Sequence, residues 1–242
     1  MIGILTSNFL LYYDLVSTLR RRNIPFISLS FNSPFPPNVN VIITSKNEKD
    51  KINFDKVVCC DLNSNIENII DKAILLSLYK DVKLTFGIDP GSSIGVAIFG
   101  NEKLIRRFVA DSPNEAVDFI KSFIRDIEAK EVIIRIGNGA RIIRNRIINL
   151  LQDYKIEVVD EANIPCIDDD ALAASSIALT RGIEIKGKLS VEPKEGEIKE
   201  MQRLSRIKSR NITISKELAK KVLIGEIELD KAIEMQKKKN QA

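Results

Sequence analysis

Short apolar runs alternate with helical stripes over the first eighty residues. Residues 2–6, 25–30, 39–44 and 56–60 are brief hydrophobic runs bounded by polar residues, which predicts strands. Between the first two, Leu11, Leu15 and Leu19 recur on one helical face, with Ser7 or Asn8 as the cap and Arg22 near the end. Residues 32–38 carry Pro34, Pro36 and Pro37 and predict a loop, and the polar run 45–53 predicts another. Ile66, Ile69, Ile70, Ala73, Ile74 and Leu78 predict a helix over 63–79.

The pattern then changes. Residues 84–89, 95–99 and 104–109 predict three strands, with Gly91 in the first turn and a hairpin through 100–103. Pro113 opens a helix that runs to about residue 128. A strand at 132–136, a helix at 140–154, a strand at 156–160 and an Ala-rich helix at 168–181 follow, the last closed by Gly182. The order is β-β-β-α-β-α-β-α. Beyond it, Ile198, Met201, Leu204 and Ile207 make a narrow stripe, Ser215 suits a helix cap, Gly225 breaks that helix, and 229–235 forms another. The tail 237–242 is expected to fray. The fold class read from this is α/β, in three parts: a small α/β domain (1–82), a larger α/β domain (83–182) and a helical region (183–242).

Composition narrows the chemistry. The chain of 242 residues is 44% hydrophobic and 29% charged. No apolar run exceeds five residues, and no basic region precedes the first apolar stretch, so neither a membrane span nor a signal peptide is expected, and the expected location is cytoplasmic. Adjacent Cys59 and Cys60 with a distant Cys166 match neither a disulfide framework nor a zinc spacing. Histidine is absent, which removes histidine-based nucleophilic triads, histidine general bases and histidine metal ligands. Any acid–base or metal chemistry falls to other groups, carboxylates first. Tryptophan is absent too, so a base-stacking platform is poorly supplied. Residues 1–82 hold nine basic and eight acidic side chains, 83–182 hold thirteen and fifteen, and 183–242 hold fifteen and ten, so the positive excess sits at the C-terminal end. Such an excess suits phosphate backbones, and equally a solvated helical face.

Four motifs in the middle region fall in a recognisable order. Gly87-Ile88-Asp89-Pro90-Gly91 followed by Gly95-Val96-Ala97 resembles the first strand of RuvC-like and YqgF-like nucleases, within the RNase H-like superfamily. Ile134-Arg135-Ile136-Gly137-Asn138-Gly139 resembles the fourth strand and loop of the YqgF branch, Val159-Asp160-Glu161 the end of its fifth strand, and Asp170-Ala171-Leu172-Ala173-Ala174 the start of the last helix in both branches. The resemblance covers about residues 84–182. It implies an RNase H-like fold in which Asp89, Glu161 and Asp170 converge as catalytic metal ligands, with Asp168 as a fourth ligand or a helix cap. It also implies hydrolysis of phosphodiesters by a pair of Mg²⁺ or Mn²⁺ ions, for which oxygen donors suffice without histidine. Residue by residue, plainer roles compete: Asp89 suits a turn before Pro90-Gly91, Asp168 to Asp170 suit a helix start, and Glu161 suits a solvated strand end. Two departures stand out: the fourth strand ends without an acid, and Ala162 follows Asp160-Glu161 where the YqgF pattern has arginine.

Arg141 and Arg144 share a face at the start of a helix and could hold a phosphate, as could Lys199, Arg203, Arg206, Lys208 and Arg210 further on. The resemblance implies a structure-selective nuclease acting on nucleic acid, branched DNA of the Holliday-junction kind first and structured RNA second. A junction resolvase would be a homodimer. The competing readings are a YqgF-like RNA-processing nuclease and a catalytically inactive nucleic-acid-binding or scaffold protein of the same fold. An actin-like ATPase or sugar kinase would need a second nucleotide-binding domain and a second phosphate loop, and the chain has neither.

Overall fold

The computed structural model describes residues 1–60, 64–163 and 169–241. They are α/β, with a four-stranded sheet, a six-stranded mixed sheet and a helical C-terminal region. Two compact units emerge: Met1–Leu84 with Gly100–Ile105 and Ile120–Val132, and Thr85–Phe99 with Arg106–Phe119 and Ile133–Ala242.

In the first unit, β1 (Ile2–Ile4), β2 (Phe26–Ser28), β3 (Val41–Ser45) and β4 (Val57–Cys60) pair in parallel in the order β2-β1-β3-β4. Parallel strands are covered on both faces, which is why β1 and most of β3 are buried throughout. Helices α1 (Phe9–Arg21) and α2 (Ile66–Leu78) each begin at an asparagine: Asn8 accepts from Leu11 N at 3.2 Å, and Asn65 accepts from Asn68 N at 3.3 Å. Their apolar stripes pack on Ile2, Ile4, Val41, Ile43 and Val58. The alternate residue Ile42 faces the other side, with Leu5, Val39 and Ile52.

The segment expected as loop at 45–53 forms a 3₁₀ turn, Lys46–Lys51. Its cause is Glu48, only 8% exposed despite its polar neighbours. The Glu48 carboxylate accepts from Thr6 Oγ1 and Ser45 Oγ at 2.5 Å each and from Ser7 N at 2.7 Å. These bonds outweigh burial and hold its pKa down at about 2. The side chain thus ties the end of β1 to the end of β3.

The six-stranded sheet has the order β10-β9-β8-β5-β6-β7. Its strands are β5 (Lys83–Pro90), β6 (Ile94–Gly100), β7 (Lys103–Ala110), β8 (Glu131–Gly137), β9 (Lys155–Val159) and β10 (Ile183–Glu184). β8 and β9 run parallel, and β10 joins β9 antiparallel. Helices α3 (Pro113–Ile127), α4 (Arg141–Leu150) and α5 (Asp170–Leu179) occupy the expected places, α4 and α5 shorter than expected. The edge strand β10 was not foreseen. Gly182, expected as a helix C-cap, serves that strand instead: α5 ends at Thr180 in extended backbone. A Cβ on Gly182 would come within 2.4 Å of Val158 O, so glycine lets β10 approach β9.

The C-terminal helices are α6 (Glu195–Ser209), α7 (Lys216–Leu223, capped by Ser215) and α8 (Leu229–Gln241). They share a core of Ile198, Ile214, Ala219, Ala232 and Ile233. The expected stripe through Leu204 and Ile207 is rotated: these two are 38% and 59% exposed, while Ser205 is fully buried. Ser205 Oγ accepts from Ile214 N at 3.1 Å, which turns that face of α6 inward. The tail expected to fray continues α8 through Gln241, with a side-chain bond from Gln236 Nε2 to Asn240 Oδ1 at 2.9 Å. No helix among the described residues is long and apolar enough to cross a membrane.

Candidate active site

Two glycines bring α5 down onto the sheet. A Cβ on Gly87 would lie 2.0 Å from Ala174 O, and one on Gly95 would lie 1.9 Å from Asp170 O. Opposite them the helix supplies Ala174 and Ala178, which pack on Ala97 and Phe99. Small residues on both sides therefore allow backbone to meet backbone, and the start of α5 comes to the end of β5. That approach carries Asp170, the first residue of α5, toward Asp89, the penultimate residue of β5.

Glu161 arrives from the other side. β9 ends at Val159, and Glu161 opens a 3₁₀ turn, Glu161–Asn163, rather than ending the strand. Its Oε1 accepts from Gly139 N at 3.1 Å. A Cβ on Gly137, the last residue of β8, would stand 2.1 Å from the same oxygen, so this glycine makes room for the carboxylate.

Asp89 is half-buried, and its pKa is pushed up to about 6. Burial is the largest cause, and the charges of Glu161 and Asp170 add to it. Asp89 is therefore near enough to Glu161 and to Asp170 to feel both charges. Among the described residues no three acidic or thiol side chains stand close enough to share one metal ion. Asp168 lies outside the described residues, while its neighbour Asp169 caps α5, accepting from Ala171 N at 2.9 Å and Leu172 N at 3.0 Å.

One site residue escaped the sequence reading. Ser93, in the turn between β5 and β6, donates its hydroxyl hydrogen to Asp170 Oδ2. Its only signal was position within Gly91-Ser92-Ser93, a turn otherwise read for its glycine.

The two arginines of α4 have different places. Arg144 donates to Asn138 O at 2.9 Å and to Asn145 Oδ1 at 3.1 Å. Burial and Arg141 lower its pKa, and Glu161 partly opposes them, so the guanidinium lies within electrostatic reach of Glu161. Arg141 instead pairs with Glu197 through two bonds of 2.8 and 2.9 Å and donates to Ser190 O and Glu192 O. Its donors are spent fastening α6 to α4, not left open to a phosphate.

The other expected backbone-binding residues lie on or just after α6. Arg203 pairs with Glu200, and Lys208 pairs with Asp230. Lys199, Arg206 and Arg210 are exposed and make no ion pair among the described residues, although Lys199 lies near Glu195. A groove of about 950 Å³ runs beside the site, lined by Ser92, Ile94, Ile142, Met201, Leu204 and Leu223 among others.

Comparison with known families divides the chain. Residues 1–76 match a family described as a response regulator receiver-like domain, in keeping with the parallel order β2-β1-β3-β4. Residues 194–239 match a family described as a three-helical bundle domain. No curated protein matches the chain. The carboxylates lie in the stretch between the two matches.

Proposed function

We propose that the chain is a divalent-cation-dependent nuclease of RuvC/YqgF type, its RNase H-like domain over residues 83–182, acting on branched DNA. The approach of Asp89, Glu161 and Asp170 carries this reading. Burial first, and the charges of Glu161 and Asp170 after it, raise Asp89 to about 6; a bound cation would offset both costs, and carboxylate oxygens are the hard donors that Mg²⁺ and Mn²⁺ take. Such ions, when bound, supply an activated water and stabilise the leaving oxygen of a phosphodiester.

The chain's own residues prepare that site. Asp89 must lose its proton to act as a ligand. The Gly139 N–H holds Glu161, and the Ser93 hydroxyl holds Asp170, so two of the three carboxylates are oriented by hydrogen bonds. Arg144 sets a positive charge near Glu161, one that could help to draw a phosphate. Lys199, Arg206 and Arg210 are left to follow a nucleic-acid backbone.

A second reading, a non-catalytic nucleic-acid-binding protein that keeps the fold, is favoured by one observation. The described carboxylates do not close into a three-ligand group. A cleavage panel of four-way junctions, flaps and structured RNA, with and without Mg²⁺ or Mn²⁺, separates the two. Cation-dependent cutting supports the nuclease. Binding without cutting supports the scaffold, and RNA-only cutting supports YqgF-like processing.

A further inference from the structure

The start of α1 presents Phe9, Leu10 and Tyr13 to solvent at 76%, 70% and 62% exposure. The opposite face of the same helix is already used, with Leu11, Leu15, Val16 and Leu19 in the core of the unit. Three large apolar side chains clustered on one exposed helical face mark a contact surface. The exposed face continues through Asp14, Ser17, Arg20 and Arg21. Asp14 and Arg20 make no ion pair among the described residues, and Arg21 reaches Glu67 while staying 68% exposed.

We propose that this face docks a second copy of the chain, α1 packing antiparallel on its twin about a two-fold axis at Ser17. The serine is small enough to let the helices approach at the crossing. About that axis, residues at nearly equal distances from Ser17 stand level. The helical period puts Tyr13 and Arg20 on one flank of Ser17, and Asp14 and Arg21 on the other. The two-fold axis keeps each flank matched to itself. Tyr13 therefore meets Arg20 of the second copy, a cation over a ring, and Asp14 meets Arg21 of the second copy, a carboxylate on a guanidinium. Phe9 and Leu10 extend the contact toward the C-terminal end of the second copy's α1. Each pairing occurs twice. An acid midway along the stripe and two arginines at its end complement themselves in this orientation, which is why a second copy fits better than an unrelated apolar partner.

Sedimentation velocity on the full chain at rising micromolar concentration tests this. The wild type should associate to a dimer. Leu10→Ser, Tyr13→Ser and Asp14→Arg should each weaken association about tenfold or more. The double change Asp14→Arg with Arg21→Asp should bring it back to within about threefold of the wild type, because the pair is reversed rather than removed. Circular dichroism identifies any variant that fails to fold, and the remaining variants then decide the question. A monomer at every concentration overturns the proposal, as does a dimer indifferent to all of these changes. Weakening by Tyr13→Ser without rescue by the double change overturns the antiparallel register.

Discussion

Gly139 N donates to Glu161 Oε1 at 3.1 Å, so the loop after β8 fixes a carboxylate carried by the turn after β9. The neighbouring Gly137 leaves the space that this carboxylate fills. Gly137→Ala should displace Glu161 and cut turnover sharply, with a stability cost of about 1 kcal/mol or less, because a side chain can rotate away. Gly95→Ala should behave differently. Its new methyl would strike Asp170 O, a backbone atom, and should cost about 1–3 kcal/mol. Urea unfolding of both variants checks the contrast.

Asp89 should give the fold a pH signature. Its pKa rises from 3.8 to about 6 on folding, so the native state holds this proton more tightly than the unfolded chain. Stability from this group is present below 3.8 and is lost as pH rises to about 6. Asp89→Asn should remove that loss and raise stability at neutral pH by about 1–2 kcal/mol, a figure reduced for partial solvent screening. Unfolding curves of both proteins across this range should diverge as pH rises.

Glu48 should act in the opposite sense. Its pKa falls from 4.5 to about 2 on folding, so its contribution is present above 4.5 and is lost as pH falls toward 2. Glu48→Gln should cost on the order of 2–3 kcal/mol at neutral pH, since an amide turns donors toward the hydroxyls of Thr6 and Ser45. Thermal melts at neutral and acid pH should show the gap between the proteins closing in acid.

On the helical region, Arg206 and Arg210 should matter more than Arg203 and Lys208, which already hold Glu200 and Asp230. Replacing Arg206 and Arg210 with alanine should weaken DNA binding and reduce the slope of log K against log salt by about 0.9 for each phosphate no longer neutralised. Replacing Arg203 and Lys208 should change the slope less. Fluorescence anisotropy at several salt concentrations makes the comparison.

The strands and helices were legible wherever periodicity and caps agreed, as at Asn8 with Leu11, Leu15 and Leu19. The motifs around Asp89, Glu161 and Asp170 were legible as acids near glycines and alanines in a recognisable order, whereas the approach of α5 to Gly87 and Gly95 shows only in space. Glu48 was not legible, because a glutamate in a run of lysines and asparagines reads as solvated until Thr6, Ser7 and Ser45 are brought to it by strand pairing. Ser93 was missed for a related reason, since its partner Asp170 is far along the chain. Arg141 was read as open to phosphate because Glu197, its partner, lies beyond an irregular stretch that carries no periodic signal.

That Asp89, Glu161 and Asp170 hold a catalytic cation is tested most directly by cleavage of a labelled four-way DNA junction by wild type and Asp89→Asn in Mg²⁺, in Mn²⁺ and in chelator. The wild type should cut only with the cation, and Asp89→Asn, which stays folded and still binds the junction, should not cut. Equal cutting by both proteins, or a wild type that binds the junction and never cuts it under any of these conditions, would contradict it.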